Sequence, residues 1–229
     1  LTLDCFNEFV KQFRLFDKEE PFQPFVDQLK NFDLRAVESI NLINKALTSN
    51  ETGEILKVLS QRAPIIKILN LGANQISDTA RLSFPDSLQS LDLMANRMYD
   101  AEVQGLNLTT NLKYLVLMAN SIGDAGAQGL KLPDNLQYLS LSGNNIGHVG
   151  SQGLRLPAKL QHLDLSGNSI GDTGAQGLKL PDNLQYLDLT SNSIGDAGAQ
   201  RLNLPDSLRF LSLSQNKISA TGVRGLKFP

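Results

Sequence analysis

Apolar residues recur along most of this chain in one pattern, Leu-x-x-Leu-x-Leu-x-x-Asn-x-Ile, which residues Leu184–Ile194 show in full. The asparagines of successive copies are Asn74, Asn96, Asn120, Asn144, Asn168, Asn192 and Asn216. The first two lie 22 residues apart, and every later pair is separated by 24 residues. A degenerate copy, Val37–Leu47, has Lys45 in place of the asparagine, which makes eight units. A fixed period of this length indicates a solenoid of stacked repeats.

Each copy predicts a short strand, because its alternating leucines point to one buried face. The rest of the repeat is long enough to bring the next strand back parallel to the first. After the strand, the motif Ile122–Leu130 offers Gly123 for a turn and Asp124 to cap a short helix of the same repeat. His148 replaces this aspartate and predicts a weaker start for the helix of its own unit. In the first unit, Thr48–Pro64 is long enough for an amphipathic helix.

The repeated asparagine follows each strand, where its side-chain amide can satisfy backbone groups of the turn. We also expect stacked copies to bond to one another. A buried polar group without a partner costs about 1–3 kcal/mol, so recurrence at this position predicts that the group is satisfied. The seven asparagines are therefore predicted to form a structural ladder along the solenoid.

The two ends of the chain differ from the repeats. Residues 1–33 do not repeat. Four of their phenylalanines have helical spacing, namely Phe6, Phe9, Phe13 and Phe16. We interpret 1–33, including a second apolar stretch at Phe25–Phe32, as an N-terminal helical cap over the solenoid of residues 34–229. The alternative is a helical hairpin that binds a partner or serves secretion. Lys227–Pro229 matches the motif before a strand, so we expect the solenoid to be truncated there.

Side chains between the leucines are predicted to face outward from the sheet. At the third position, five consecutive units carry a ring, namely Tyr114, Tyr138, His162, Tyr186 and Phe210. These rings form one column, because neighbouring strands lie about 4.8 Å apart. The fifth position includes Ser140, Asp164 and Asp188, and the seventh includes Met94 and Met118. The rings either stabilise neighbouring strands by stacking or form a docking strip for a partner protein, and both roles are compatible.

The repeat resembles leucine-rich repeats across roughly residues 34–229. Its Asn-x-Ile-Gly-Asp-x-Gly-Ala segment is similar to the ribonuclease-inhibitor and NOD-like-receptor class, whereas Leu-Pro-Asp-Asn-Leu-Gln-Tyr-Leu resembles the start of bacterial effector repeats. The combination looks most like leucine-rich-repeat effectors that intracellular bacterial pathogens inject into host cells. This resemblance implies an α/β right-handed solenoid, a horseshoe or arc with a concave parallel sheet and short convex helices. It also implies secretion by a bacterium into the host cytosol.

Composition and charge exclude several classes of function. The 229 residues carry a formal net charge of −2, which provides no basic footprint for nucleic acid. No apolar run is long enough to predict insertion into a membrane. His148 and His162 lack the spacing of metal ligands, and the recurring glycines lack the lysine of a phosphate-binding loop. We therefore expect no catalytic residue, no metal site and no cofactor.

The function predicted from these features is that of a monomeric, non-enzymatic scaffold that binds a partner protein on the concave face. The first alternative is a substrate-recognition module of a larger enzyme, such as a ubiquitin ligase whose catalytic domain lies outside this chain. A second alternative is a structural or surface-adhesive repeat protein. A downstream cysteine-containing helical domain would favour the ligase, and an upstream signal peptide would favour the adhesive protein.

Overall fold

The computed structural model of this protein describes residues 22–227, and these residues contain one parallel sheet of eight strands. The strands are β1 (Ser39–Asn41), β2 (Ile68–Asn70), β3 (Ser90–Asp92), β4 (Tyr114–Val116), β5 (Tyr138–Ser140), β6 (His162–Asp164), β7 (Tyr186–Asp188) and β8 (Phe210–Ser212). They pair in chain order from β1 to β8, in an open sheet. Equivalent repeat positions lie opposite each other on neighbouring strands, as Leu115 and Leu139 do. Each repeat brings the chain back beside the preceding strand, so that the next strand begins in the same register.

The repeated leucines form a continuous core along the inner face of the sheet. Leu115, Leu139 and Leu163, at the centres of three successive strands, have no exposed surface. Complete burial of one such side chain contributes about 1.5–3 kcal/mol. The residues on either side of each central leucine point to the opposite face of the sheet, because side chains alternate along a strand. The predicted parallel sheet with one buried face is therefore confirmed.

Helices lie between most successive strands and at both ends of the sheet, and all but one of them are at most eight residues long. They are α1 (Phe22–Leu29), α2 (Ser49–Arg62), α3 (Asp100–Gln104), α4 (Asp124–Gly129), α5 (His148–Gly153), α6 (Gly171–Gly177), α7 (Asp196–Gln200) and α8 (Ala220–Gly225). From α3 onward, each helix packs against the next. Glycine permits this close approach, since a Cβ atom at Gly150 would lie 2.6 Å from Asp124 Oδ1. The connection between β2 and β3, in the unit two residues shorter than the later units, contains no helix.

Helix α2 has the amphipathic character that the sequence predicts. Its side chains Ile55, Leu56 and Leu59 are buried in the core. A capping box defines its start, because Thr48 Oγ1 accepts from Glu51 N and a Glu51 carboxylate oxygen accepts from Thr48 N. The reciprocal pair satisfies two backbone N–H groups that an uncapped helix would leave without partners.

The aspartates at the helix starts cap the following repeat, so the prediction that Asp124 caps its own helix is wrong. Asp124 Oδ1 accepts hydrogen bonds from Gly147 N at 2.7 Å and from Gly150 N at 2.8 Å, both at the start of α5. Asp172 caps α7 in the same way, through Gly195 N at 2.6 Å. The short helices stack side by side, which brings each carboxylate closer to the next helix start than to its own. These bonds link neighbouring repeats on the helical side of the solenoid.

His148 consequently affects the helix of the next repeat, and the predicted weak start of its own helix is also wrong. Helix α5 retains its cap because Asp124 supplies it from the preceding repeat. Helix α6 has no side-chain cap, and its first residue Gly171 adopts a φ of +61°. The equivalent Gly147 has a φ of −95°. A left-handed conformation is accessible to glycine at little cost, and it lets the Gly171 N–H donate to Asn192 O at 2.9 Å in place of a carboxylate.

We expect His148→Asp to raise the free energy of unfolding by about 1 kcal/mol, the typical contribution of a helix cap. The new carboxylate would accept from the backbone N–H of Gly174, and from that of Gly171 once Gly171 leaves its present acceptor Asn192 O, in the register that Asp124 shows one repeat earlier. Urea denaturation followed by circular dichroism measures the change. The reciprocal control, Asp172→His, removes the cap of α7 and should destabilise by a similar amount. An unchanged stability in both variants would contradict the capping role.

The asparagine side chains bond to backbone groups of two adjacent repeats. Asn168 Nδ2 donates to Leu165 O and Ser166 O in its own turn, and to Leu141 O in the preceding repeat. Its Oδ1 accepts from Ile146 N at 3.0 Å. Some stacked copies bond to one another as expected, since Asn120 Oδ1 accepts from Asn96 N and Asn216 Oδ1 accepts from Asn192 N. Within residues 22–227, however, no asparagine side chain of the ladder bonds to another side chain of the ladder. Backbone carbonyls lie between successive asparagines, so each amide joins two turns rather than two amides.

The N-terminal segment is described only from Phe22 onward, and the phenylalanine stripe predicted at residues 6–16 lies outside the described residues. Helix α1 begins at Phe22, three residues before the predicted apolar stretch. Its Phe25 and Leu29 are buried in the same core as the repeats, as is Phe32 beyond its end. Helix α1 packs against α2. This contact agrees with a covering role for the described part, while the boundary at residue 33 and the cap itself stay predictions.

Candidate protein-binding surface

The five predicted rings lie on adjacent strands as one row of side chains, which we call the aromatic column. Its members are Tyr114, Tyr138, His162, Tyr186 and Phe210. Strand pairing places each ring directly opposite the next, from β4 to β8. Each ring occupies the same position of its repeat, directly before the buried central leucine of the strand. The pairing of equivalent repeat positions therefore aligns the rings. The column therefore crosses five strands on the face of the sheet opposite to the core.

Four of the five rings form a nearly parallel stack. The ring centroids of Tyr138 and His162 are 4.3 Å apart, those of His162 and Tyr186 3.9 Å, and those of Tyr186 and Phe210 4.3 Å. The interplanar angles fall from 17° to 4° along this series. Tyr114 is tilted by 35° and lies 6.2 Å from Tyr138. Such contacts contribute about 0.5–1.5 kcal/mol per aromatic pair beyond the burial of area.

Stacking determines which parts of the rings a partner can reach. The ring faces of His162 and Tyr186 are covered on both sides, so their edges form the accessible surface. The two ends of the column are the most open, since Tyr114 and Phe210 each retain 46% of their surface. The aromatic column is thus both a stabilising stack and an exposed apolar strip.

Two aspartates lie beside the column at the fifth repeat position. Asp164 Oδ1 accepts from the backbone N and the Oγ of Ser166, and Asp164 Oδ2 accepts from Ser140 Oγ at 3.1 Å. Asp188 Oδ1 accepts from Thr190 N at 2.8 Å. Ser140 is buried, in contrast to the expectation that fifth-position residues are exposed. A serine is short enough to lie beneath the neighbouring carboxylate, and Ser140 holds Asp164 in place by a hydrogen bond.

The predicted methionines lie away from the stacked rings. Met94 and Met118 follow β3 and β4 and are half-buried, and Met118 O accepts the backbone N–H of Ala95. They border the Tyr114 end of the column, whereas Asp164 and Asp188 flank the stacked rings of β6 and β7. The predicted site residues therefore separate into an acidic aromatic half and a more apolar half.

The electrostatic environment keeps the rings neutral at physiological pH. Burial lowers the pKa of the His162 imidazole from its ordinary value of 6.5, and this effect outweighs the opposing influence of Asp164 and Asp188. Burial also raises the pKa of the Tyr138 phenol, and Asp164 adds to that increase. The pKa of Tyr186 is raised by burial and by Asp188. The aspartates are therefore the charged groups beside the stack.

Acidification is expected to weaken the column at His162. Because its pKa is lower in the folded protein, the folded state binds fewer protons than the unfolded state. This contribution to stability is present above the unfolded pKa and is lost as the pH falls through the folded pKa. Between about pH 7.5 and about pH 5, the melting temperature of the natural protein should fall further than that of His162→Phe. Equal decreases in the two proteins would contradict this assignment.

A metal site and a membrane span each require a particular arrangement of residues. Among residues 22–227, no group of three or more His, Cys, Asp or Glu side chains is placed to hold a metal ion. None of the described helices combines the length and apolarity required to cross a bilayer. The structure does show one contact in the candidate surface that the sequence pattern missed, the anchoring of Asp164 by Ser140 and Ser166. The recurrence of serine next to the outward aspartate was the available signal.

Comparisons with known proteins identify the repeat. Residues 110–170 match the family profile described as Leucine rich repeat, and residues 182–202 and 207–227 match a second Leucine Rich repeat profile. Internalin C2 of Listeria monocytogenes is similar in structure, with a TM-score of 0.54 and 22% identity over 82% of this chain and 90% of that chain. TLR13, solved in complex with ssRNA13, has a TM-score of 0.58 and 22% identity over 90% of this chain. No curated protein sequence matches the chain.

These matches and the open eight-stranded sheet confirm the predicted leucine-rich-repeat solenoid. At 22% identity, the two structures establish the fold alone. This chain spans 29% of the TLR13 chain that it matches. Leucine-rich repeats commonly serve as protein-interaction modules, and the fold is typically a non-catalytic binding scaffold.

Proposed function

We propose that this protein binds another protein through the aromatic column and the two aspartates beside it. The observation that carries the proposal is the unbroken row of rings across five strands, which is half-buried in its middle and open at Tyr114 and Phe210, each 46% exposed. Aromatic side chains on a rigid surface are typical anchors of protein interfaces, because they bury a large area at little cost in conformational entropy.

The shape of the strip favours a macromolecule over a small ligand. Five strands at about 4.8 Å spacing extend the column over about 19 Å. This length suits an extended segment or an element of secondary structure in a partner. Small-molecule sites, by contrast, are concave and enclose most of their ligand. The stacked rings are held by one another, so a partner meets a surface that is already ordered, which lowers the entropic cost of association.

The proposal extends to a bacterial effector that acts in the cytosol of a host cell as a monomer. This extension is supported by the combination of two repeat types in the sequence, above all the Leu-Pro-Asp-Asn-Leu-Gln-Tyr-Leu start of the repeat at Leu180–Leu187. Expression of the chain in host cells, followed by fractionation, tests the location. Accumulation in the membrane fraction or the secretory pathway would contradict the cytosolic assignment.

Affinity capture from host-cell lysate tests the binding function. The chain is immobilised beside two variants, a Tyr138→Ala and Tyr186→Ala double variant and a Val149→Ala control on helix α5. Val149 is exposed on the helical side, so its truncation removes apolar surface away from the sheet. A protein retained by the natural chain and by the Val149 control, but lost by the double variant, supports the proposal. Equal retention by all three contradicts it.

Nucleic acid is the alternative occupant that the same experiment distinguishes. The chain is predicted not to bind nucleic acid, and the aspartates beside the column repel phosphate groups. Nuclease treatment of the lysate before capture should therefore leave the retained protein unchanged. Retention that disappears after ribonuclease treatment would show that RNA mediates the contact.

A further inference from the structure

The outward face of the sheet carries aspartates but no lysine or arginine at the positions that flank the central leucines. The chain contains 21 lysines and arginines, but none occurs at the third, fifth or seventh repeat position of any unit. The charged residues at these positions are Asp92, Asp164 and Asp188. The residues that immediately precede β5, β6 and β7 are the uncharged Gln137, Gln161 and Gln185. Lys113 precedes β4 and Arg209 precedes β8, so basic residues occur beside the two end rings. The stacked rings of β5, β6 and β7 are bordered by aspartates and uncharged glutamines.

Asp164 and Asp188 form a pair of carboxylates on adjacent strands. They lie directly opposite each other in the β6–β7 register, at about 4.8 Å strand spacing. Neither is part of an ion pair within the described residues. Asp164 has both oxygens engaged by serines, while Asp188 Oδ1 is held by the backbone of Thr190. Both carboxylates are thus oriented in the free protein, next to ring edges that can contact an apolar stem.

We propose that the partner inserts an arginine side chain across Asp164 and Asp188, with its aliphatic stem along the edges of His162 and Tyr186. This inference rests on the proposed function and specifies the chemistry of the partner at that surface. A planar guanidinium offers several N–H donors in a fixed geometry, so one group can bridge carboxylates on two strands. The ammonium of lysine is a compact charge, and its N–H donors lack this fixed planar arrangement.

The stacked rings themselves argue for this placement. A cation binds best over the face of an aromatic ring, but the faces of His162 and Tyr186 are closed by their neighbours. The guanidinium must therefore reach the carboxylates rather than a ring face in the middle of the column. His162 is neutral at physiological pH because burial lowers its pKa, so it does not cancel the two negative charges.

Tyrosine fluorescence provides a direct test with short peptides. The chain has four tyrosines and no tryptophan, and three of the tyrosines belong to the aromatic column. Tyr99→Phe removes the fourth, so the emission of that protein reports on the column. Tri-arginine, tri-lysine and tri-glutamate peptides are titrated into the full 229-residue chain with this substitution. We expect tri-arginine to bind more tightly than tri-lysine and tri-glutamate to have no effect.

Matched aspartate substitutions locate the binding. The test variant is Asp164→Asn with Asp188→Asn, and the control is Asp134→Asn with Asp182→Asn, which removes the same charge from exposed loops. The test variant should weaken tri-arginine binding by about fivefold, the effect of one favourable exposed ion pair, while the control stays close to the natural chain. If the double variant loses its circular dichroism spectrum, Asp188→Asn alone is used, because an amide oxygen preserves the bond from Thr190 N.

Acidification adds a second readout. The titratable groups that face His162 are Tyr138, Tyr186, Asp164 and Asp188. Protonation of His162 places a positive charge between the two aspartates, so tri-arginine binding should weaken as the pH falls from about 7.5 to about 5. In His162→Phe this decrease should be smaller. An identical pH dependence of the two proteins would contradict the placement of the guanidinium.

Several outcomes would overturn the proposal. Equal affinities for tri-arginine and tri-lysine would remove the case for a guanidinium, and equal weakening by test and control variants would show nonspecific attraction. Failure of the arginine proposal is also distinguishable from failure of the proposed binding function. A captured partner that is lost with the tyrosine variant but retained by the Asp164→Asn and Asp188→Asn variant would leave the proposed function intact and refute the arginine.

Discussion

Asn168→Leu is expected to lower the free energy of unfolding by about 3 kcal/mol. The Asn168 amide donates to three backbone carbonyls and accepts from Ile146 N, at a site where the side chain is only 8% exposed. Leucine has a similar size but satisfies none of these groups, and a buried polar group without a partner costs about 1–3 kcal/mol. Urea denaturation followed by circular dichroism measures the loss.

Asn145→Leu is the matched control for this substitution. Asn145 directly follows the ladder residue Asn144, but its side chain is exposed, and its backbone N–H donates to Ile122 O without help from the amide. Surface changes of this kind usually alter stability by less than about 0.5 kcal/mol. If Asn168→Leu and Asn145→Leu unfold at the same urea concentration, the ladder does not contribute as assigned.

Truncation of Tyr138 or Tyr186 to alanine is expected to weaken partner binding by about 2 kcal/mol, or about thirtyfold. Both rings belong to the stacked part of the column and flank His162, where a docked partner removes water from all three side chains. Central, desolvated aromatic residues carry most of the energy of typical interfaces. Isothermal titration calorimetry with the captured partner measures the affinity of each variant.

Stability must be separated from affinity in these variants, since each lost ring also removes its contacts with two neighbouring rings. Thermal melting of Tyr138→Ala and Tyr186→Ala shows whether both remain folded at the titration temperature. Val149→Ala, on the helical side, should bind the partner with unchanged affinity. If both tyrosine variants are folded and bind as tightly as the natural chain, the aromatic column stabilises the sheet but does not bind the partner.

The same position carries a ring in five consecutive units, and this explains why much of the surface was predictable from the sequence. A strand has a side-chain period of two, so the placement of Leu115 in the core requires Tyr114 to face outward. Parallel pairing of equivalent repeats then aligns the rings. The column, its neighbouring aspartates and the asparagine positions follow from periodicity and strand geometry without further information.

The sequence pattern of a single repeat did not predict the polar contacts between neighbouring repeats. Asp124 and Gly123 are adjacent in the sequence, which suggested a cap within one helix, but the carboxylate bonds to Gly147 and Gly150 in the next repeat. The consequence of His148 therefore appears at Gly171, not in its own helix. The burial of Ser140 beneath Asp164 has the same origin.

The sequence by itself determined the number of units, the parallel sheet and the residues that form its two faces. These depend on the alternation of side chains within a strand and on the 24-residue period that the later copies of the repeat share. Only the tertiary structure decided which repeat receives each polar contact. The distance between successive helices and strands, rather than separation along the chain, places Asp124 on the next helix and Ser140 beneath Asp164. The same short distance between strands places neighbouring rings against both faces of His162, so that the ring edges and the carboxylates remain accessible to a partner.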